Sequence, residues 1–118
     1  MKIKISTRIV LLFKTFVIKI PVSYRGYLQC KNEKSIWDKY KHLGLLGELY
    51  WEKRGIICMK RYEPVKQVHH LDVFKIKNNI DEMNIINCDL YKIQNWGLGD
   101  TRQILIDYGI SEEVSKMY

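Results

Sequence analysis

Residues 88–109 read C-D-L-Y-K-I-Q-N-W-G-L-G-D-T-R-Q-I-L-I-D-Y-G. Asp89 opens a polar loop that closes on Asn95-Trp96-Gly97. A turn follows at Gly99-Asp100, then a short apolar strand, Ile104-Leu105-Ile106, with Asp107, Tyr108 and Gly109 straight after it. The pattern is a small hairpin with two carboxylates and an amide at its mouths. Oxygen ligands gathered in this way suit a hard divalent cation such as magnesium, usually beside a phosphate group. An ordinary β-hairpin with polar loop residues accounts for the same letters.

Working back from the hairpin, residues 66–87 carry apolar positions at Val68, Leu71, Val73, Phe74, Ile76, Ile80, Met83, Ile85 and Ile86. They read as one or two short helices broken near Asn78-Asn79. Before them, Leu45–Trp51 and Gly55–Arg61 flank the turn Glu52-Lys53-Arg54-Gly55, a hairpin signal. Asn32 begins N-E-K-S-I-W-D-K-Y-K-H-L, a helix with Ile36, Trp37, Tyr40 and Leu43 on one face, Gly44 as its stop and Glu33 at its positive end. Tyr24-Arg25-Gly26-Tyr27 reads as a turn. Residues 2–22 alternate at Lys2-Ile3-Lys4-Ile5 and from Phe16 to Ile20, which predicts two or three antiparallel strands ending at Pro21. Beyond the hairpin, Ser111 caps a short terminal helix reaching Tyr118.

In this order the elements resemble the protein kinase-like fold. Val17-Ile18-Lys19-Ile20 is similar to the family's lysine strand, and the helix bearing Glu33 follows it. Ile56 to Val65 is similar to the last small-lobe strand and hinge. The opening stretch resembles the catalytic loop and the D-[FY]-G turn. The resemblance implies an α+β fold: a five-stranded antiparallel sheet with one packed helix, plus a reduced C-terminal helix and hairpin. The chain would be one domain, 1–118, with 1–63 as the small lobe and 64–118 as a remnant of the large one. It also implies that Lys19 holds phosphate and pairs with Glu33, and that Met59 gates a hinge at Lys60–Glu63 with Arg61 on the nucleotide. Asp89 would be the catalytic residue of an active enzyme, and Asn95 and Asp107 would hold the metal. ATP and Mg2+ are the cofactors it implies. The chain departs from the family at Asn87-Cys88, which replace His-Arg, and at Asn95, one residue late. Residues 1–19 contain no glycine, so no Gly-rich loop precedes Lys19, and only nine residues follow Gly109.

Composition bounds the function. The 118 residues are 47% hydrophobic and 28% charged, which suits one globular domain. Three widely spaced cysteines, Cys30, Cys58 and Cys88, read as reduced thiols of a cytoplasmic protein (host cytoplasm or virion if viral). His69-His70 are adjacent and point apart, which argues against zinc. The apolar run Ile9–Phe13 is too short for a signal peptide, and Lys14 and Lys19 interrupt any membrane span. The net charge of +7 lies in the first third: residues 1–41 hold ten Lys/Arg against two acids, and 42–118 hold ten against eleven.

Three functions stay open. The first is a non-catalytic kinase-like interaction module that grips another protein, such as a virion or host-modulating component. The second is a minimal Mg-ATP-dependent phosphotransferase. The third is a nucleic-acid binder using the basic N-terminal third, with Tyr24, Tyr27 and Trp37 as stacking residues. Tyr91, Trp96 and Tyr118 read either as a subunit contact or as closure of the core.

Overall fold

Three strands open the chain, as the period-two pattern predicts: β1 (Lys2–Ile5), β2 (Arg8–Leu12) and β3 (Phe16–Pro21). The computed structural model describes residues 2–5, 7–80 and 90–108. Helix α1 (Tyr24–Tyr40) follows, then the hairpin β4 (Leu49–Lys53) and β5 (Ile56–Lys60). Strands β2, β3, β5 and β4 form the body of an antiparallel sheet, with β1 on the outer edge of β2. The second half holds β6 (Glu63–Pro64), α2 (His70–Asn79), β7 (Trp96–Leu98) and β8 (Gln103–Leu105). Strands β6, β7 and β8 make a separate three-stranded antiparallel sheet, so the architecture is α+β with one main helix.

The helix begins eight residues earlier than its apolar spacing suggests, and Tyr24–Tyr27 is its first turn, not a loop. Ser23 decides this. Its hydroxyl accepts the Gly26 N–H at 3.1 Å, satisfying one of the orphan donors of a helix start. Gly26 looks like a turn glycine but serves packing, because a Cβ there would collide with the Thr7 carbonyl oxygen. Glu33 consequently sits mid-helix, one turn from Cys30 and from Ile36, on the buried face. That face lies against β3, β5 and β4, where Ile36 of the helix and Ile57 of β5 are fully covered. Burying each contributes about 1.5–3 kcal/mol.

The β4–β5 turn is read correctly from sequence. Arg54 and Gly55 both take positive φ (52° and 83°), the geometry of a two-residue hairpin that follows the strand twist. Its Glu52 accepts the Gly55 N–H at 2.7 Å and the Lys31 ammonium of α1 at 3.0 Å, which ties the turn to the helix. Strand β4 starts only at Leu49. The preceding Leu45–Gly47 runs beside β8 instead, with Gly47 N–H donating to Leu105 O (2.8 Å) and Leu105 N–H to Leu45 O (3.1 Å). This segment stitches the two sheets together.

Helix α2 ends at Asn79, where the asparagine pair predicts a break. The hairpin Asn95–Ile106 forms with Gly97 opposite Ile104. Trp96 is core, not a subunit contact: it is buried and its indole N–H donates to Leu90 O at 2.8 Å. Tyr91 is exposed. The sequence expectations for Cys88, Asp89, Gly109, Tyr118 and the terminal helix fall outside the described residues. No helix among the described residues is long and apolar enough to cross a membrane.

Candidate functional site

Four charged side chains converge between the sheet and α1. Lys19 sits on β3 opposite Val10 and Ile57, so its side chain points to the helix face of the sheet. Arg8, at the start of β2, has the same parity two residues from Val10 and points the same way. Glu33 reaches down from mid-helix. The Lys19 ammonium lies 3.1 Å from each carboxylate oxygen of Glu33, and one Arg8 guanidinium nitrogen lies 2.8 Å from Glu33 Oε1. A second guanidinium nitrogen of Arg8 reaches Asp107 Oδ1 at 3.4 Å. Arg8, Lys19 and Glu33 are buried, whereas the Asp107 side chain keeps 41% of its surface exposed.

The chain brings Asp107 there from the far side of the hairpin. Strand β8 ends at Leu105, and Tyr108 anchors the exit by donating its buried hydroxyl to Gly47 O at 2.9 Å. Burial and the neighbouring carboxylates push the Tyr108 phenol far up, so it stays neutral. Burial alone would raise the Asp107 carboxyl, but the Lys19 ammonium and the Arg8 guanidinium outweigh it and hold it below the usual carboxylate range. Lys19 and Asp107, 88 residues apart in the chain, therefore share one electrostatic cluster. Arg8 is driven the other way: burial disfavours its charge, yet Glu33 and Asp107 more than compensate, so it is permanently cationic. Two cations and two carboxylates close the charge balance of the cluster. Every buried side-chain nitrogen and oxygen among the described residues has a hydrogen-bond partner.

The remaining predicted positions lie apart or take other roles. Asn95 is buried at the mouth of the hairpin, and its carbonyl accepts the Ile106 N–H at 2.8 Å, one residue from Asp107. Met59 is a core residue of β5 packed with Ile57 and Leu49. The segment after it enters the second sheet through Glu63–Pro64, which pairs with Leu98 and Gly97. Arg61 donates to Phe13 O at 2.7 Å, which fixes it to the β2–β3 turn. An open cleft of about 540 Å³ borders Lys60–Glu63, Gly44 and the Leu98–Arg102 turn, and neither Lys19 nor Asp107 lines it. Tyr24 and Tyr27 are exposed, whereas Trp37 packs on the core.

Arg8 is the residue that sequence reasoning misses. In R-I-V-L-L-F it reads as the polar start of a strand, and nothing local distinguishes it from a solvated cation. Only the β2–β3 register, with Arg8 opposite Pro21 and Val10 opposite Lys19, places both cations on one face. Cys30 lies beside it, its sulfur 3.6 Å from Arg8, and burial pushes its thiol up despite that cation. Cys30 and Cys58 are both free thiols.

A magnesium ion does not fit these donors. A divalent cation at the Asp107 oxygens would sit against the Arg8 guanidinium and within the field of Lys19. Among the described residues no three His, Cys, Asp or Glu side chains gather closely enough to hold a metal. Compared with models of protein families, with curated proteins and with solved structures, the chain matches none of them.

Proposed function

We propose that the chain is a kinase-like module that works by binding another protein and not by transferring phosphate. The support is the Lys19–Glu33 pair on a strand and the following helix, with the strand-end Asp107 drawn to the same cluster, in the arrangement that the sequence resemblance implies. The single observation that carries the non-catalytic half of the reading is Arg8. Its guanidinium bridges Glu33 and Asp107, so the carboxylate that would hold a metal is already engaged by a cation of the chain itself. Phosphoryl transfer depends on metal ions that neutralise phosphate charge and on groups that position it. Here the Asp107 carboxylate that would hold such a metal faces the Arg8 guanidinium instead.

The β1–β2 turn supports the same reading. Thr7 is committed to the helix: its hydroxyl donates to Gln29, and its carbonyl accepts from Val22 N–H and the Ser23 hydroxyl. A turn held there is not available to close over a nucleotide. Of the ten N-terminal cations the nucleic-acid reading depends on, Arg8, Lys19, Lys31 and Lys34 are engaged in ion pairs within the chain.

A thermal-shift titration with ATP, with and without magnesium, tests the proposal. We expect no magnesium-dependent rise in Tm for the wild-type chain. A clear rise that disappears in Asp107→Ala would overturn it in favour of the minimal phosphotransferase.

A further inference from the structure

Strands β2 and β3, R-I-V-L-L and F-V-I-K-I-P, are apolar at both parities, the pattern of a sheet covered on both sides. The parity of Arg8 and Lys19 faces α1. The opposite parity builds a second apolar face. Register aligns Ile3, Leu11, Ile18, Cys58 and Trp51 in one row across all the strands, and Ile5, Ile9 and Ile20 in the next. No residue in either row is charged. Ile3, Ile5 and Trp51 stay 54%, 73% and 46% exposed, and the stacked pair Phe13–Phe16 extends the face towards the β2–β3 turn.

The charges around this face are unbalanced. Strands β1 to β3, with their turns, contain five Lys/Arg and no acidic residue. Arg8 and Lys19 are consumed by the internal cluster. Exposed Lys14 stands at the β2–β3 turn, at one end of the strands, and exposed Lys53 and Arg54 stand at the β4–β5 turn, at the other. Glu48 is the acidic residue beside that first end. A second copy of the chain would bring another +7 against this surface. An acidic partner would be drawn to it.

The geometry points to a docking surface for an amphipathic helix of another protein, its apolar stripe laid along the isoleucine rows and its acidic residues at both ends. Strands of five or six residues span roughly 17–20 Å, which a helix covers with about a dozen residues, three to four turns. The inference rests on the reading of the chain as a binding module and names the surface it would use. Apolar contact supplies the affinity, and the terminal carboxylates fix orientation and speed the encounter.

The test uses the full chain and two synthetic helical peptides with the same leucine stripe, one ending in glutamates and one in lysines. Binding is read by fluorescence anisotropy, alongside light scattering over a concentration series. We expect the glutamate peptide to bind, with the lysine peptide weaker by roughly tenfold or more and salt eroding the difference. Ile5→Lys and Ile3→Lys, at exposed edge positions with unchanged circular dichroism, should each weaken binding to a similar degree. Equal binding of both peptides, no binding, or insensitivity to both substitutions would overturn the proposal. So would concentration-dependent dimers lost in the same variants, because a second copy would then cover the face. The ATP titration keeps the two readings separable. A magnesium-dependent shift sinks the non-catalytic reading and leaves a positive peptide result standing, whereas a flat titration with a failed peptide removes only this surface.

Discussion

The two halves of the molecule are fastened by different balances of charged and neutral groups. The half built on α1 and the large sheet buries Arg8, Lys19 and Glu33 and joins them to Asp107. The half built on α2 and the small sheet is fastened mostly by neutral groups, although its Asp72 carboxylate is buried and accepts the Gln103 N–H at 3.4 Å. Gln103 accepts the His69 N–H at 2.9 Å and donates to Gln67 O at 2.6 Å, while Trp96 and Tyr108 donate to Leu90 O and Gly47 O. Neutral amides satisfy buried backbone at little desolvation cost. Burying ions costs several kcal/mol per charge, repaid only by close geometry, and well-packed apolar residues would often do as well. Stability alone therefore accounts for the neutral half but gives no reason for the charged one. A cluster with this much buried charge points to a role for the charges beyond stability.

The largest expected break in this comparison is Glu33→Ala. It leaves two buried cations without their common partner and should cost about 3–5 kcal/mol in a urea unfolding curve, a large part of a small domain's total stability. Glu33→Gln, which keeps the shape, should lose less. A loss below about 1 kcal/mol for Glu33→Ala would show that water already screens the cluster, and the contrast would collapse. In the neutral half, Gln103→Leu strands a backbone donor and a backbone acceptor, and should cost about 1–3 kcal/mol by the same measurement.

A smaller effect is a pH dependence confined to the charged half. Asp107 has its folded pKa depressed, so the unfolded chain binds more protons in the acid range. Its contribution is present above the unfolded value, about 3.9, and is lost as pH falls towards the folded value. Denaturation midpoints measured between neutrality and pH 3 should fall more steeply for wild type than for Asp107→Asn. Identical profiles would mean that Arg8 and Lys19 do not act on this carboxylate.

How much of this was legible in advance follows from the range of each interaction. The strands of residues 2–21, the Arg54-Gly55 hairpin, the end of α2 at Asn79 and the Trp96–Leu105 hairpin all depend on alternation or on local turn chemistry, and the letters carry them. The start of α1 is misread because Gly26 looks like a turn glycine while its reason, the Thr7 carbonyl, has no local signature; the Ser23 cap is the local signal that could have placed it. Lys19 and Glu33 could be nominated by resemblance. That Glu33 reaches Lys19 depends on the helix beginning at Ser23.

The sequence by itself determined an α+β chain, a basic N-terminal third, and alternating strands over residues 2–21, because periodicity and composition act over a few residues. The tertiary structure alone decided that Arg8 joins Lys19 on one face and meets Asp107 from 99 residues away. It also decided that the opposite isoleucine parity lines up into rows. Strand register and the packing of one helix determine which side chains become neighbours, and neither is written in any single stretch of the chain.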